Sequence, residues 1–138
     1  MKRNLWKLLA SVALCGTLLS ACAAEESGWE ESVPTYEQIS EAEAKKMMDS
    51  VANLVILDVR RQEEFDLGHI PGAICIPNET IDASVHEILT DLNQTILVYC
   101  RSGRRSKEAA QKLANLGYTN IREFGGILTW TFGTTTEA

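Results

Sequence analysis

Two short, dense runs of aliphatic residues limit the folds open to this chain more than any other feature. They are residues 53–59 (NLVILDV) and residues 95–99 (TILVY). Neither alternates polar with apolar positions, so each reads as a strand covered on both faces, as in a parallel sheet. Helical patterns lie around them. Ser40-Glu41-Ala42-Glu43 has the form of a capping box and predicts a helix running to about Asp49. Residues 80–92 carry Ile81, Val85, Ile88 and Leu89 at helical spacing. Residues 106–117 place Ala109, Ala110, Leu113 and Leu116 on one face, and Gly117 closes that helix as its C-terminal cap. Shorter strands are expected at 73–77 (AICIP) and 119–123. Gly125-Gly126 should open a terminal helical turn that faces Ile127, Leu128 and Trp130 to the core, with residues 133–138 frayed. Strand alternating with helix in one domain implies an α/β fold with a largely parallel sheet. Ligands in such folds bind beyond the carboxyl ends of the strands.

The first 21 residues read as a removable leader. Lys2, Arg3 and Lys7 precede an apolar run at residues 8–19, which is shorter than the roughly 20 residues a spanning helix needs. Leu19-Ser20-Ala21-Cys22 then resembles the bacterial lipobox, which implies cleavage before Cys22 and lipid on that cysteine. Two acyl chains there would hold the protein to the outer side of the cell membrane, where one chain binds only marginally. Residues 22–34 are acidic and small, and are expected to form a flexible tether to a domain at 35–138. The leader holds three of the 13 basic residues and none of the 19 acidic ones, so its removal takes the net charge from −6 to −9. A chain this acidic argues against nucleic acid as a partner and against electrostatic adhesion to an anionic membrane.

Against that acidic background, Arg101, Arg104, Arg105 and Lys107 cluster directly after Cys100. A strand leads into Cys100-Arg101-Ser102-Gly103-Arg104-Arg105-Ser106 and a helix leads out. A tight loop here can turn successive N–H groups inward as a nest, and the helix adds its positive end. Gly103 supplies the backbone freedom such a turn needs. Both effects favour an anion at the loop centre and hold Cys100 as the nucleophilic thiolate. The arginines favour a small anionic substrate. The other cysteines, Cys15, Cys22 and Cys75, form no Cys-x-x-Cys pair or His/Cys cluster with it, so no metal site is expected.

Residues 35–138 resemble a single-domain rhodanese. The stretches that carry the resemblance are Leu57-Asp58-Val59-Arg60 with Glu64-Phe65, Gly68-His69-Ile70-Pro71-Gly72-Ala73, the loop CRSGRRS, and Gly125-Gly126-Ile127 with Trp130. The resemblance implies a central, mostly parallel sheet of about five strands with helices on both faces. It implies a sulfurtransferase that carries sulfane sulfur as a Cys100 persulfide, bound by the loop Arg101, Ser102, Gly103, Arg104 and Arg105. The partners would be a small anionic donor such as thiosulfate and a thiol or cyanide acceptor, with no cofactor. A monomer is expected. A related family of cysteine phosphatases uses Cys-x5-Arg. Here Arg105 closes Cys-x4-Arg, and Ser106 stands where that arginine would be. A non-catalytic module that binds an anion or a partner thiol is the other reading.

Asp58 and Arg60 are supporting candidates. Asp58 is expected to cap or pair so as to fix its loop, and Arg60 to pair with an acid such as Glu64. His69 should order its loop through hydrogen bonds, and His86 should be inert on a helix surface. Cys75 stands where the family often has a polar residue. It reads as a small buried strand residue, with a resolving thiol for Cys100 as the alternative.

Overall fold

The computed structural model of the protein describes residues 32–138. The expected leader, Cys22 and most of the tether lie outside the described residues. In chain order the elements are β1 (Glu37–Gln38), α1 (Glu41–Ser50), β2 (Val55–Asp58), α2 (Gln62–Asp66), β3 (Ala73–Cys75), β4 (Ile96–Cys100), α3 (Arg104–Asn115) and β5 (Ile121–Gly126). The strands form one sheet in the order β1-β5-β4-β2-β3, and every pairing is parallel. The fold is the expected α/β class. The central strand β4 is buried at all five residues, as its unbroken apolar run requires.

Helices cover both faces of the sheet. On one, Ala109, Ala110, Leu113 and Ala114 of α3 pack against Leu57, Val98 and Ile121. On the other, Ala44 of α1 packs with Ile56, Leu97, Tyr99 and Phe124. Burying a side chain such as Leu57 or Leu113 contributes about 1.5–3 kcal/mol. Helix α1 starts as expected. The Ser40 hydroxyl accepts from the Glu43 amide, and the Glu43 carboxylate accepts from the Ser40 amide. Gly117 follows α3 in the left-handed region, at φ +98°.

Four expectations need correction. Residues 80–92 do not form an α-helix. Two 3-10 segments, Asn78–Thr80 and Ala83–Glu87, stand there instead, and the Asp82 carboxylate takes the Ser84 amide and restarts the turn between them. Ile81, Val85 and Leu89 still reach the core, while Ile88 is exposed, so the spacing reports burial at three of the four positions and not helix type. Helix α3 begins two residues early, at Arg104. Leu128 is 64% exposed, while Ile127 and Trp130 pack against the α1-side core. Residues 133–138 are not frayed as a whole. Thr135 exchanges two backbone hydrogen bonds with His69, at 2.8 and 2.9 Å. Strand β1 has only two residues, too short for a periodicity to register.

The register sets the site. Asp58 at the end of β2 lies opposite Cys75 on one side and Tyr99 on the other. Cys100 lies one residue beyond, opposite Gly126 at the end of β5. The carboxyl ends of four strands therefore stand nearly level, with Cys100 between the β2 and β5 ends.

Candidate active site

Cys100 is the last residue of β4 and is 1% exposed. Its sulfur lies 3.0 Å from the Gly103 amide, which donates to it, and 3.4 Å from the Ser106 hydroxyl. Gly103 makes this possible by standing at φ +98° just before α3, a conformation that side chains rarely adopt. The first amides of α3 have no intrahelical acceptor and carry the helix's positive end. Arg104 and Arg105 occupy that same first turn, where cations oppose the helix dipole. Such a conflict between local rule and residue is expected at a functional or strained site.

Gly126 holds the loop from the other side. A Cβ built there would lie 2.1 Å from the Arg101 carbonyl oxygen and 2.6 Å from the Ser102 nitrogen. Only glycine lets β5 pass so close to the loop backbone. Beyond it, the Ile127 amide donates to the Cys100 carbonyl at 2.9 Å and the Leu128 amide to the Arg101 carbonyl at 3.2 Å. The loop is thus pinned at its centre by α3 and along its first residues by β5.

The arginines divide into two kinds. Arg105 donates from both Nη atoms to the Glu64 carboxylate, at 2.6 and 2.9 Å. That pairing pulls the Glu64 carboxyl down to about 2 and pushes the Arg105 guanidinium up. Arg101 and Arg104 are exposed and have no ion pair among the described residues. An open pocket of about 680 Å³ beside the loop is lined by Arg101 and Arg105, but also by Arg61, Glu63, Glu64 and Glu79. The basic cluster of the sequence is therefore partly balanced by acids brought in from α2 and the first 3-10 segment.

Arg60 does not pair with Glu64 as expected. It turns back on Asp58, with Nε 3.0 Å from Oδ1 and Nη2 2.6 Å from Oδ2. Nη2 also donates to the Gly68 carbonyl at 2.7 Å, and the Asp58 carboxylate accepts the Arg60 amide at 2.9 Å. Both residues are buried. The Tyr99 hydroxyl accepts from the Ile70 amide at 3.1 Å, and burial beside Asp58 pushes that phenol strongly upward. This group ties the end of β2 to the turn after α2. It fixes the loop, as expected for Asp58.

Cys75 is no resolving thiol in this fold. It lies on β3, separated from β4 by β2, and two strand spacings amount to roughly 9.6 Å. A disulfide needs Cα atoms within about 7 Å. Cys75 also shares its sheet face with Ala73 and Asp58, whereas Cys100 packs on the α3 side. Burial, with Asp58 nearby, pushes its thiol up to about 11. His69 is buried and stacked on Phe65; its ring nitrogens meet the carbonyls of Phe65 and Glu137 at 2.9 and 3.1 Å. His86 is half-buried, with Nδ1 3.0 Å from the Tyr118 hydroxyl. Neither touches the cysteine loop.

In the sequence Ser106 is marked only as the residue that ends the loop, and Glu123 by no motif. Ser106 is fully buried, and its hydroxyl donates to the Glu123 carboxylate at 2.6 Å. Glu123 is 2% exposed and also accepts the Gly125 amide at 2.8 Å. An acid as the last residue of the expected strand 119–123 is the available signal, but nothing local tells a buried acid from an exposed one.

A loop of this kind, at the strand ends of an all-parallel five-stranded sheet, defines a class. A family model for the rhodanese-like domain matches residues 40–131, and the chain belongs to that family. It is 37% identical over 71 residues to the thiosulfate sulfurtransferase PspE of Escherichia coli, covering 51% of this chain and 68% of that one. It is 33% identical over 92 residues to a sulfurtransferase of Allochromatium vinosum, covering 66% and 83%. A putative sulfur carrier protein of Bacillus subtilis, YrkF, is 35% identical, but this chain spans only 54% of its length. Among solved structures, a rhodanese with anions from E. coli superposes with a TM-score of 0.56 at 31% identity, covering 60% of this chain and 98% of that one. The relatives support sulfur transfer as the general chemistry.

Proposed function

We propose that the protein moves sulfane sulfur from an anionic donor such as thiosulfate to a thiol or cyanide acceptor, through a persulfide on Cys100. The observation that carries this reading is the position of the Cys100 sulfur, 3.0 Å from the Gly103 amide at the positive end of α3. The Cys100 thiolate attacks the outer sulfur of thiosulfate. The donor's S–S bond breaks, sulfite leaves with the bonding pair, and the transferred sulfur stays on Cys100 as an anionic persulfide. Cyanide then attacks that outer sulfur, thiocyanate leaves, and the thiolate is restored. Two half-reactions of this kind give ping-pong kinetics. The Arg105–Glu64 pair supports sulfur over phosphate, because the arginine that closes the loop already has a carboxylate partner. Arg101 and Arg104 are cations of the loop left to receive the donor.

Intact mass after thiosulfate treatment should show the gain of one sulfur atom on Cys100, with thiocyanate formed on adding cyanide. A Cys100→Ser variant that behaved like the unaltered protein would sink this reading. Lipid on Cys22 would set the reaction on the outer side of the cell membrane. Cys22→Ala should then release the protein from sedimented membranes, and unchanged sedimentation would remove the anchor from the proposal.

A further inference from the structure

Behind the Cys100 sulfur lies a buried carboxylate that the sulfur-transfer steps do not use. Cys100, Ser106 and Glu123 are 1%, 0% and 2% exposed. The Ser106 hydroxyl stands between the other two, 3.4 Å from Sγ and 2.6 Å from Glu123 Oε1. A hydroxyl has one proton to donate. The short contact puts it on Glu123, with the Gly125 carbonyl at 3.2 Å as a longer alternative. A lone pair of Oγ then faces Sγ, so the bond between sulfur and serine needs the proton on sulfur. Glu123 has no cationic partner among the described residues. Arg105 of α3 pairs with Glu64 of α2 and Arg122 of β5 with Glu37 of β1, while Arg101 and Arg104 of the loop are exposed and form no ion pair with Glu123. A buried carboxylate without a cation is costly.

We propose that Glu123 takes the Cys100 proton through Ser106, so that the two groups share one negative charge. The S–H proton moves to Ser106 Oγ as the Oγ–H proton moves to Glu123 Oε1. The electron pair stays on sulfur, and no proton enters or leaves the site. The serine bond reverses and now donates to the thiolate, which thus has two donors, Gly103 N–H and Ser106 O–H. The exchange matters for an anionic donor, since between the two proton losses thiolate and carboxylate are not both charged when it arrives. Glu123 acts through Ser106 and is a positioning residue. The inference rests on the persulfide reading for its use, but not for its test.

The test is the rate of Cys100 alkylation by iodoacetamide against pH, followed on the Cys100 peptide of the full chain. Two groups sharing one proton titrate in two separated steps with a plateau between them. The unaltered protein should show that plateau. Glu123→Gln should show a single step, with a rate lower by on the order of a hundredfold at the acid end of the former plateau. Ser106→Ala should lose the same amount, the double variant no more, and Ser106→Thr should keep the plateau. Should the variants not fold, infrared difference spectra of the unaltered protein with isotope-labelled glutamate decide. Across the upper step a protonated carboxyl band should vanish as the remaining thiolate forms. A single step in both proteins, or an upper step that gains thiolate without losing the carboxyl band, overturns the relay. A plateau without sulfur uptake from thiosulfate would leave the relay standing and overturn the sulfur-transfer reading instead.

Discussion

The ends of β2 and β4 lie side by side, and each carries an acidic group and an arginine, yet they are built for opposite purposes. At the end of β2 the Asp58 carboxylate and the Arg60 guanidinium neutralise each other two residues apart, and both are buried. At the end of β4 the arginine turns away. Arg105 reaches Glu64 across 41 positions, and the cysteine is left with an amide, a hydroxyl and a helix end. The β2 end is closed on itself and can only hold structure. The β4 end keeps a positive potential that the acids around it only partly balance, which is what a site for a reacting anion requires. Like residues at neighbouring strand ends thus differ in function through where each arginine finds its partner.

That contrast can be broken in order of expected effect. Arg60→Ala leaves Asp58 charged and buried without its partner, and should cost about 3–5 kcal/mol by denaturant unfolding. A loss no larger than that of a surface ion pair would erase the difference between the two ends. Gly126→Ala forces a methyl group into the Arg101–Ser102 backbone. It should cost about 1–3 kcal/mol, and sulfur uptake by Cys100 should fall further than stability does; equal losses would mean that β5 supports the fold alone. Glu64→Gln removes a half-exposed pair and should cost at most about 1 kcal/mol at neutral pH. Because Arg105 holds the Glu64 carboxyl at about 2 instead of 4.5, the pair's contribution is complete above about 4.5 and is lost as pH falls toward 2. Stability of Glu64→Gln measured down that range should therefore converge on that of the unaltered protein. Cys75→Ala should change stability by about 0.5 kcal/mol or less and leave sulfur uptake as it was; a lost uptake would bring Cys75 into the reaction cycle.

Much of this was legible in the chain. The capping box at Ser40 and Glu43 works across three residues, so its chemistry is complete in the sequence. The strands β2 and β4 announce themselves by unbroken apolar runs, and Cys100 by its place between such a run and a glycine-bearing turn. The segment at 80–92 has the spacing of a helix without being one, because burial and helix share that spacing, and the Asp82 side chain favours the tighter turn. The hold on Thr135 was not legible at all, since backbone hydrogen bonds to His69 leave no side-chain pattern.

The sequence by itself determined the α/β class, the parallel sheet and the cysteine loop, because each depends on periodicity or on neighbours a few residues apart. Only the tertiary structure decided which arginine stays free, why Gly126 must be glycine, and that Glu123 stands behind the sulfur through Ser106. Those facts depend on contacts between residues 17 to 41 positions apart, or on backbone brought together by the sheet. The energy of a charge is set by what folds against it, and no local pattern records that.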